Sequence, residues 1–162
     1  MSNCSNSAKY KNQSVVDDDN PLQKSPQNGD FCYDGTMSFS LAYTVRTYPK
    51  TLPFQKMKDD VLSSSYHLTL TFIGPHRARS LNTTYRKKTY VPNVLSFPLD
   101  DTHGEIYITP EVASREAKRF GMTPRGYMGY LFIHGLLHLK GYGHGATMEK
   151  AEKRYCTKYH LR

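Results

Sequence analysis

Tryptophan is absent from the 162 residues, and cysteine is nearly so: Cys4, Cys32 and Cys156 are few, odd in number and far apart. No Cys-x-x-Cys pair occurs, so neither a thiolate zinc site nor a disulfide framework is indicated. Cysteine used this sparingly fits a reducing cytoplasm, the expected location. Long apolar runs are lacking too. The N-terminus carries no stretch of the kind that makes a signal peptide, and no segment nears the ~20 apolar residues of a membrane-spanning helix. No membrane partner is therefore expected. Acidic residues are in deficit: 14 Asp and Glu stand against 22 Lys and Arg, a net charge of +8. That balance favours a polyanionic partner.

What is present is unevenly spread. Residues 1–36 are rich in Ser, Asn, Asp, Lys and Gln and almost free of aliphatics. This composition cannot bury enough apolar surface to fold, so 1–36 is expected to be a disordered extension without chemistry of its own. The cluster Asp17-Asp18-Asp19 argues against a mitochondrial transit peptide, which is acid-poor. From Met37 the pattern changes, and 37–162 is long enough for a single domain with a core.

Within that domain, Phe39, Leu41, Tyr43 and Val45 alternate with small polar residues and predict a half-buried strand. A short helical stretch from Pro53 to Leu62 follows. Tyr66, Leu68, Leu70 and Phe72 alternate in a second strand, broken by Gly74-Pro75. Residues 76–86 predict a helix with Ala78, Leu81 and Tyr85 facing inward. Short strands are expected at 93–98 and 104–108. Pro110 suits the first turn of a helix reaching Phe120, with Gly121 as its stop. Thr123 is a plausible N-cap for a helix running to Leu139, and a last amphipathic helix covers 147–159. This order predicts an α+β fold: a small mixed four-stranded sheet packed with four to five helices.

One stretch carries the chemistry, His134-Gly135-Leu136-Leu137-His138-Leu139-Lys140-Gly141-Tyr142-Gly143-His144. His134 and His138 are four apart and share a helix face. Gly141 can take the left-handed conformation that stops a helix, letting the chain double back to bring His144 in. Three imidazoles with a fourth position open suit a catalytic rather than a structural zinc ion. The spacing resembles the metzincin zinc peptidases, H-E-x-x-H-x-x-G-x-x-H. Their general base is the Glu after the first His. Here that position is Gly135, which cannot take a proton, so peptidase chemistry is not supported.

Four motifs together carry a more specific resemblance. His134 to His144 fits H-G-x-L-H-L-x-G-[YF]-D-H at all but one position. Leu81-Asn82-Thr83-Thr84-Tyr85-Arg86 resembles L-N-x-x-[YF]-R, Val94 to Pro98 resembles the strand T-D-V-L-S-F-P, and Gly104 to Ile108 resembles G-D-I-x-I. In order and extent, from about residue 37 onward, the chain resembles the YbeY family of bacterial endoribonucleases. The resemblance implies a zinc ion held by His134, His138 and His144. It implies an essential Arg86, a cleft for single-stranded RNA, and roles in 16S rRNA 3′-end processing and ribosome quality control. Ribosomal subunits then become expected partners, and DNA does not. The peptidase Glu is missing from that family as well.

Three positions depart from the family pattern: Gly143 stands for its Asp, Asn93 for a second Asp, and Glu105 for a third. A carboxylate beside a ligand histidine fixes ring orientation, so these changes bear on catalytic efficiency. Asp100, Asp101 and Glu105 are the candidates to compensate. For RNA contact the basic run Arg77, Arg79, Arg86, Lys87 and Lys88 stands out, together with Tyr142 between two ligands as a stacking surface. Arg86 would clamp a phosphate through its planar fork of donors. Either a metal-activated water or the RNA 2′-hydroxyl could attack, and no general base is identifiable. A non-catalytic ribosome-assembly factor that uses the metal only for its fold is the competing reading.

Overall fold

The computed structural model describes residues 38–46 and 48–162, all of which belong to one unit of the chain, Tyr33–Arg162. The expected disordered extension over 1–36 lies outside the described residues. Four strands, β1 (Phe39–Tyr43), β2 (His67–Phe72), β3 (Val94–Pro98) and β4 (His103–Ile108), form one sheet in the order β1-β2-β4-β3. β1, β2 and β4 run parallel, and β3 runs antiparallel on the far edge. The helices are α1 (Phe54–Val61), α2 (Pro75–Arg86), α3 (Pro110–Ala117), α4 (Pro124–Leu139) and α5 (Ala146–Lys158). The expected mixed four-stranded sheet with its helices is what folds.

The strands form where apolar residues alternate. Leu68, Leu70 and Phe72 of β2 and Ile106 and Ile108 of β4 are buried on one face and meet α4. α4 is apolar over most of its circumference because α1, α3, α5, β3 and β4 surround it. Its start follows the rule for capped helices: Thr123 Oγ1 accepts from Gly126 N at 3.0 Å, and Pro124 occupies the first turn. Its end follows from Gly141, whose φ of +92° reverses the chain. Gly135 marks close helix-to-sheet packing. A Cβ there would stand 3.1 Å from Ile106 Cδ1, so a side chain at 135 would press on the sheet.

Two local expectations shift. The helix expected to run to Phe120 ends at Ala117, and residues Lys118–Phe120 tighten into a 3-10 turn closed by Gly121 at φ +63°. Tyr85, expected to face inward, is 49% exposed. Its ring rests on Phe97 at 5.2 Å, over the outer part of the sheet rather than in the core. Helical period sets which way Tyr85 points, and at the end of α2 that direction meets only the half-buried Phe97.

The opposite edge is held by an unusual residue. Lys58 of α1 is fully buried, and its Nζ donates to Ser38 Oγ (3.0 Å), Ser63 O (3.1 Å) and Tyr66 O (2.9 Å) and pairs with Asp59 Oδ1 at 2.7 Å. A buried ammonium is tolerated only with acceptors of this number.

Candidate metal centre

His134 and His138 lie one turn apart on α4, and the Gly141 turn returns His144 to them. One ring nitrogen of each residue lies within 4.8 Å of the others. The ring centroids are 4.6 Å (134–138), 4.7 Å (138–144) and 5.3 Å (134–144) apart.

The hydrogen-bond partners assign the tautomers. His134 Nδ1 donates to Glu152 Oε1 of α5 at 2.6 Å, because a carboxylate only accepts. His138 Nδ1 donates to the Tyr142 carbonyl at 3.0 Å. With both rings neutral, as metal ligands must be, each Nε2 is left with a lone pair, and the two atoms face each other at 3.0 Å. Two lone pairs at that distance need a proton or a metal cation between them, and His144 supplies the third donor that a metal cation would use. Burial first, and then the neighbouring His134, hold His138 below the usual imidazole range, so it offers a lone pair rather than a proton. This donor set fits a divalent cation bound by His134, His138 and His144, and neutral imidazole is a common zinc ligand.

Glu152 was not legible as a site residue. It sits eighteen positions after His134 on a different helix, and only the docking of α5 brings it in. Its other oxygen accepts from the Tyr130 hydroxyl at 3.4 Å. Burial, with Glu152 beside it, pushes the Tyr130 phenol up to about 12, so it remains a donor at neutral pH. A ligand histidine backed by a carboxylate is the usual outer arrangement of a zinc site.

The sequence candidates for that orienting role are engaged elsewhere. Asp100 accepts from Thr102 N (2.7 Å) and then from His103 Nδ1 (2.9 Å) in a surface turn, which hold its carboxyl down at about 2. Asp101 is exposed in the same turn. Glu105 accepts from the Tyr107 hydroxyl at 2.9 Å, and Tyr107 neighbours Phe97 and, through it, Tyr85 of α2. Asn93 donates to Glu116 Oε2 (2.8 Å) and Tyr127 Oη (3.3 Å), at the start of α4 rather than beside the trio. Around Gly143 a Cβ would meet nothing within 4 Å. The chain thus supplies its orienting carboxylate from α5.

The other predicted residues divide. Tyr142 is half-buried against the core and contributes its carbonyl to His138. Arg86 ends α2 in an exposed turn, where Lys87 takes a left-handed φ of 57° and Lys88 is exposed. α2 covers the sheet face that carries Phe97, whereas α4 covers the face that carries Ile106. Both helices nevertheless finish at the same end of the sheet. Tyr85 packs on Phe97, and Leu139 lies against Gly104, which pairs with Pro98. Arg86 and the trio therefore share one end of the sheet, on opposite faces.

Comparison with known proteins agrees with this architecture. The family model described as endoribonuclease YbeY matches residues 38–160. Curated relatives bear that name too. One from Bdellovibrio bacteriovorus is 40% identical over 52% of this chain and 57% of its own length. One from Neisseria meningitidis is 33% identical over 67% of this chain and 71% of its own. One from Finegoldia magna is 32% identical over 76% and 80%. The solution structure of a Thermotoga maritima protein shares the fold, with a TM-score of 0.55 at 24% identity over 73% of this chain and 86% of that one. With the family model covering almost all of the described residues and the histidine trio assembled within them, the chain belongs to the YbeY family.

Proposed function

We propose that this chain is a zinc-dependent endoribonuclease that cuts single-stranded RNA, with His134, His138 and His144 as the metal ligands. One observation carries the reading: two helix-borne Nε2 lone pairs face each other at 3.0 Å, their tautomers set by Glu152 and the Tyr142 carbonyl. The relatives' shared name, endoribonuclease YbeY, supplies the reaction class.

A divalent cation in such a site supplies Lewis acidity, drawing charge from a phosphoryl oxygen and lowering the pKa of water to about 7. The chain's own residues do the rest. Glu152 holds the His134 ring, and the Tyr142 carbonyl holds His138. Arg86 lies on the opposite face at the same end of the sheet, and the family resemblance is what supports its guanidinium fork as a phosphate clamp that offsets charge in the transition state. Lys87 and Lys88 extend this positive end and hold the flanking backbone. Position 135 faces the sheet, so no side chain there could serve as a peptidase base.

The same reading makes the 3′ end of precursor 16S rRNA the cellular substrate, ribosomal subunits the partners and the cytoplasm the site of action, with a part in ribosome quality control. Purified protein incubated with single-stranded RNA, duplex RNA and casein, with and without chelator, tests the reading. Single-stranded RNA is expected to be cut and the chelator to stop it. Binding of RNA without chelator-sensitive cleavage would favour the assembly-factor reading instead. The product ends identify the nucleophile: a 2′,3′-cyclic phosphate means the RNA's own hydroxyl attacked, and a linear phosphate means water did.

A further inference from the structure

A line of stacked rings runs along α4 into the histidine trio. Tyr127, Tyr130 and His134 lie on one helix face by their three- and four-residue spacing. Tyr127 and Tyr130 stack at 5.7 Å with a 24° tilt, and Tyr130 lies 6.0 Å from the His134 ring. The far end of the line is Phe120. Its ring stacks on Tyr127 at 4.8 Å and 24°, yet it remains 58% exposed. Tyr127 beneath it is fixed through its hydroxyl, which donates to Glu116 at 3.2 Å.

An exposed phenylalanine usually folds away or finds a partner. Here Lys118 and Arg119 precede it in the same 3-10 turn, and both are exposed. Arg119 is near enough to the Tyr127 hydroxyl to act on it electrostatically. An aromatic plate flanked by cations, backed by a second ring, is the arrangement that holds single-stranded nucleic acid without reading its sequence. Tyr127 and His134 are seven residues apart, about 10 Å along the helix. The plate therefore stands beyond the scissile position by a short run of chain.

We infer that Phe120 is a base-stacking subsite of the nuclease, holding a nucleobase of single-stranded RNA a few nucleotides away from the phosphate that is cut. It rests on the reading given under the proposed function. Stacking on Phe120 needs an unpaired base, so this subsite also favours single strands over duplexes. Phe120 positions substrate and takes no part in the bond-breaking step.

The absence of tryptophan makes a direct test possible. Phe120→Trp in the full, metal-loaded chain places a lone indole at the plate. Titration with 2′-O-methyl oligoadenylate is expected to quench its fluorescence, and duplex RNA of the same length is not. Phe120→Ala and Phe120→Leu are expected to weaken oligoadenylate binding roughly five- to 150-fold, the range that truncating a stacking ring gives. Leu keeps the apolar contact with Tyr127, so its loss reports the ring and not the fold. Phe120→Tyr should bind within about twofold of the parent, because its ring also stacks. In cleavage assays the Ala and Leu variants should raise KM while leaving kcat within about twofold, the sign of binding shared by ground and transition states. If the parent binds oligoadenylate and the Ala and Leu variants bind it equally well, the subsite is refuted and the nuclease reading stands. If no form binds single-stranded RNA, both fall together.

Discussion

Glu152 Oε1 lies 2.6 Å from His134 Nδ1, and both side chains are largely shielded from water. This contact turns an imidazole that could face either way into one whose Nε2 points at His138. Removing the carboxylate is expected to loosen the ring rather than the fold. Glu152→Ala should weaken metal binding about 10- to 100-fold, the usual cost of losing an outer partner of a ligand histidine. Competition against a chelator of known affinity measures this. Glu152→Gln, which keeps an acceptor, should lose less.

The proposed function gives Arg86 and His138 separable purposes. His138→Ala removes a proposed ligand, and the purified variant should carry little metal and cleave no RNA. Arg86→Ala should keep its metal content and lose cleavage on the order of a hundredfold or more, as when one charge-stabilising donor is removed. Arg86→Lys should recover little, because an ammonium cannot make the paired contact of the guanidinium fork. Metal analysis beside single-turnover cleavage separates the two effects. Loss of metal in Arg86→Ala would contradict the assignment.

Lys58 tests the β1 edge of the sheet. Its ammonium satisfies the carbonyls of Ser63 and Tyr66 and pairs with Asp59 with no exposure to water. Lys58→Met leaves those acceptors and the Asp59 charge without a donor. The cost should be about 2–4 kcal/mol, read from urea unfolding midpoints. A change within experimental error would show that water replaces the ammonium.

Asp60 links α1 to α5, the helix that carries Glu152. Its carboxylate pairs with Lys158 Nζ at 2.5 Å and accepts from the Tyr159 hydroxyl. The bonds from Lys158 and then Tyr159 hold its pKa below the ordinary carboxylate value. The carboxylate form is therefore favoured in the folded state. Its contribution is fully present above the unfolded pKa of about 3.9 and is lost as pH falls through the lower folded value. Asp60→Asn should flatten this part of the stability profile between pH 5 and the acid limit. Urea midpoints across that range provide the check. An unchanged slope would mean that the pair is screened to no effect.

Much of this could be read without coordinates, since the signals are local. Alternating apolar residues set the strands, Thr123-Pro124 opened α4, and the four-residue spacing of His134 and His138 put both on one face. Gly141 announced the reversal that returns His144. Other features were hidden because they depend on where an element docks. Asn93 looked like a lost orienting carboxylate, yet it donates to Glu116 at the other end of α4. Tyr85 looked like a core residue by its helical position, yet it lies outside.

What the sequence determined alone is the set of elements and the shared face of two histidines, because backbone period and turn chemistry act over a few residues. What the tertiary structure decided is which carboxylate holds His134, that Arg86 and the trio finish at one end of the sheet, and that Phe120 caps a line of rings. Each of these joins residues on separate elements, and packing of the core, not spacing along the chain, sets the distance between them.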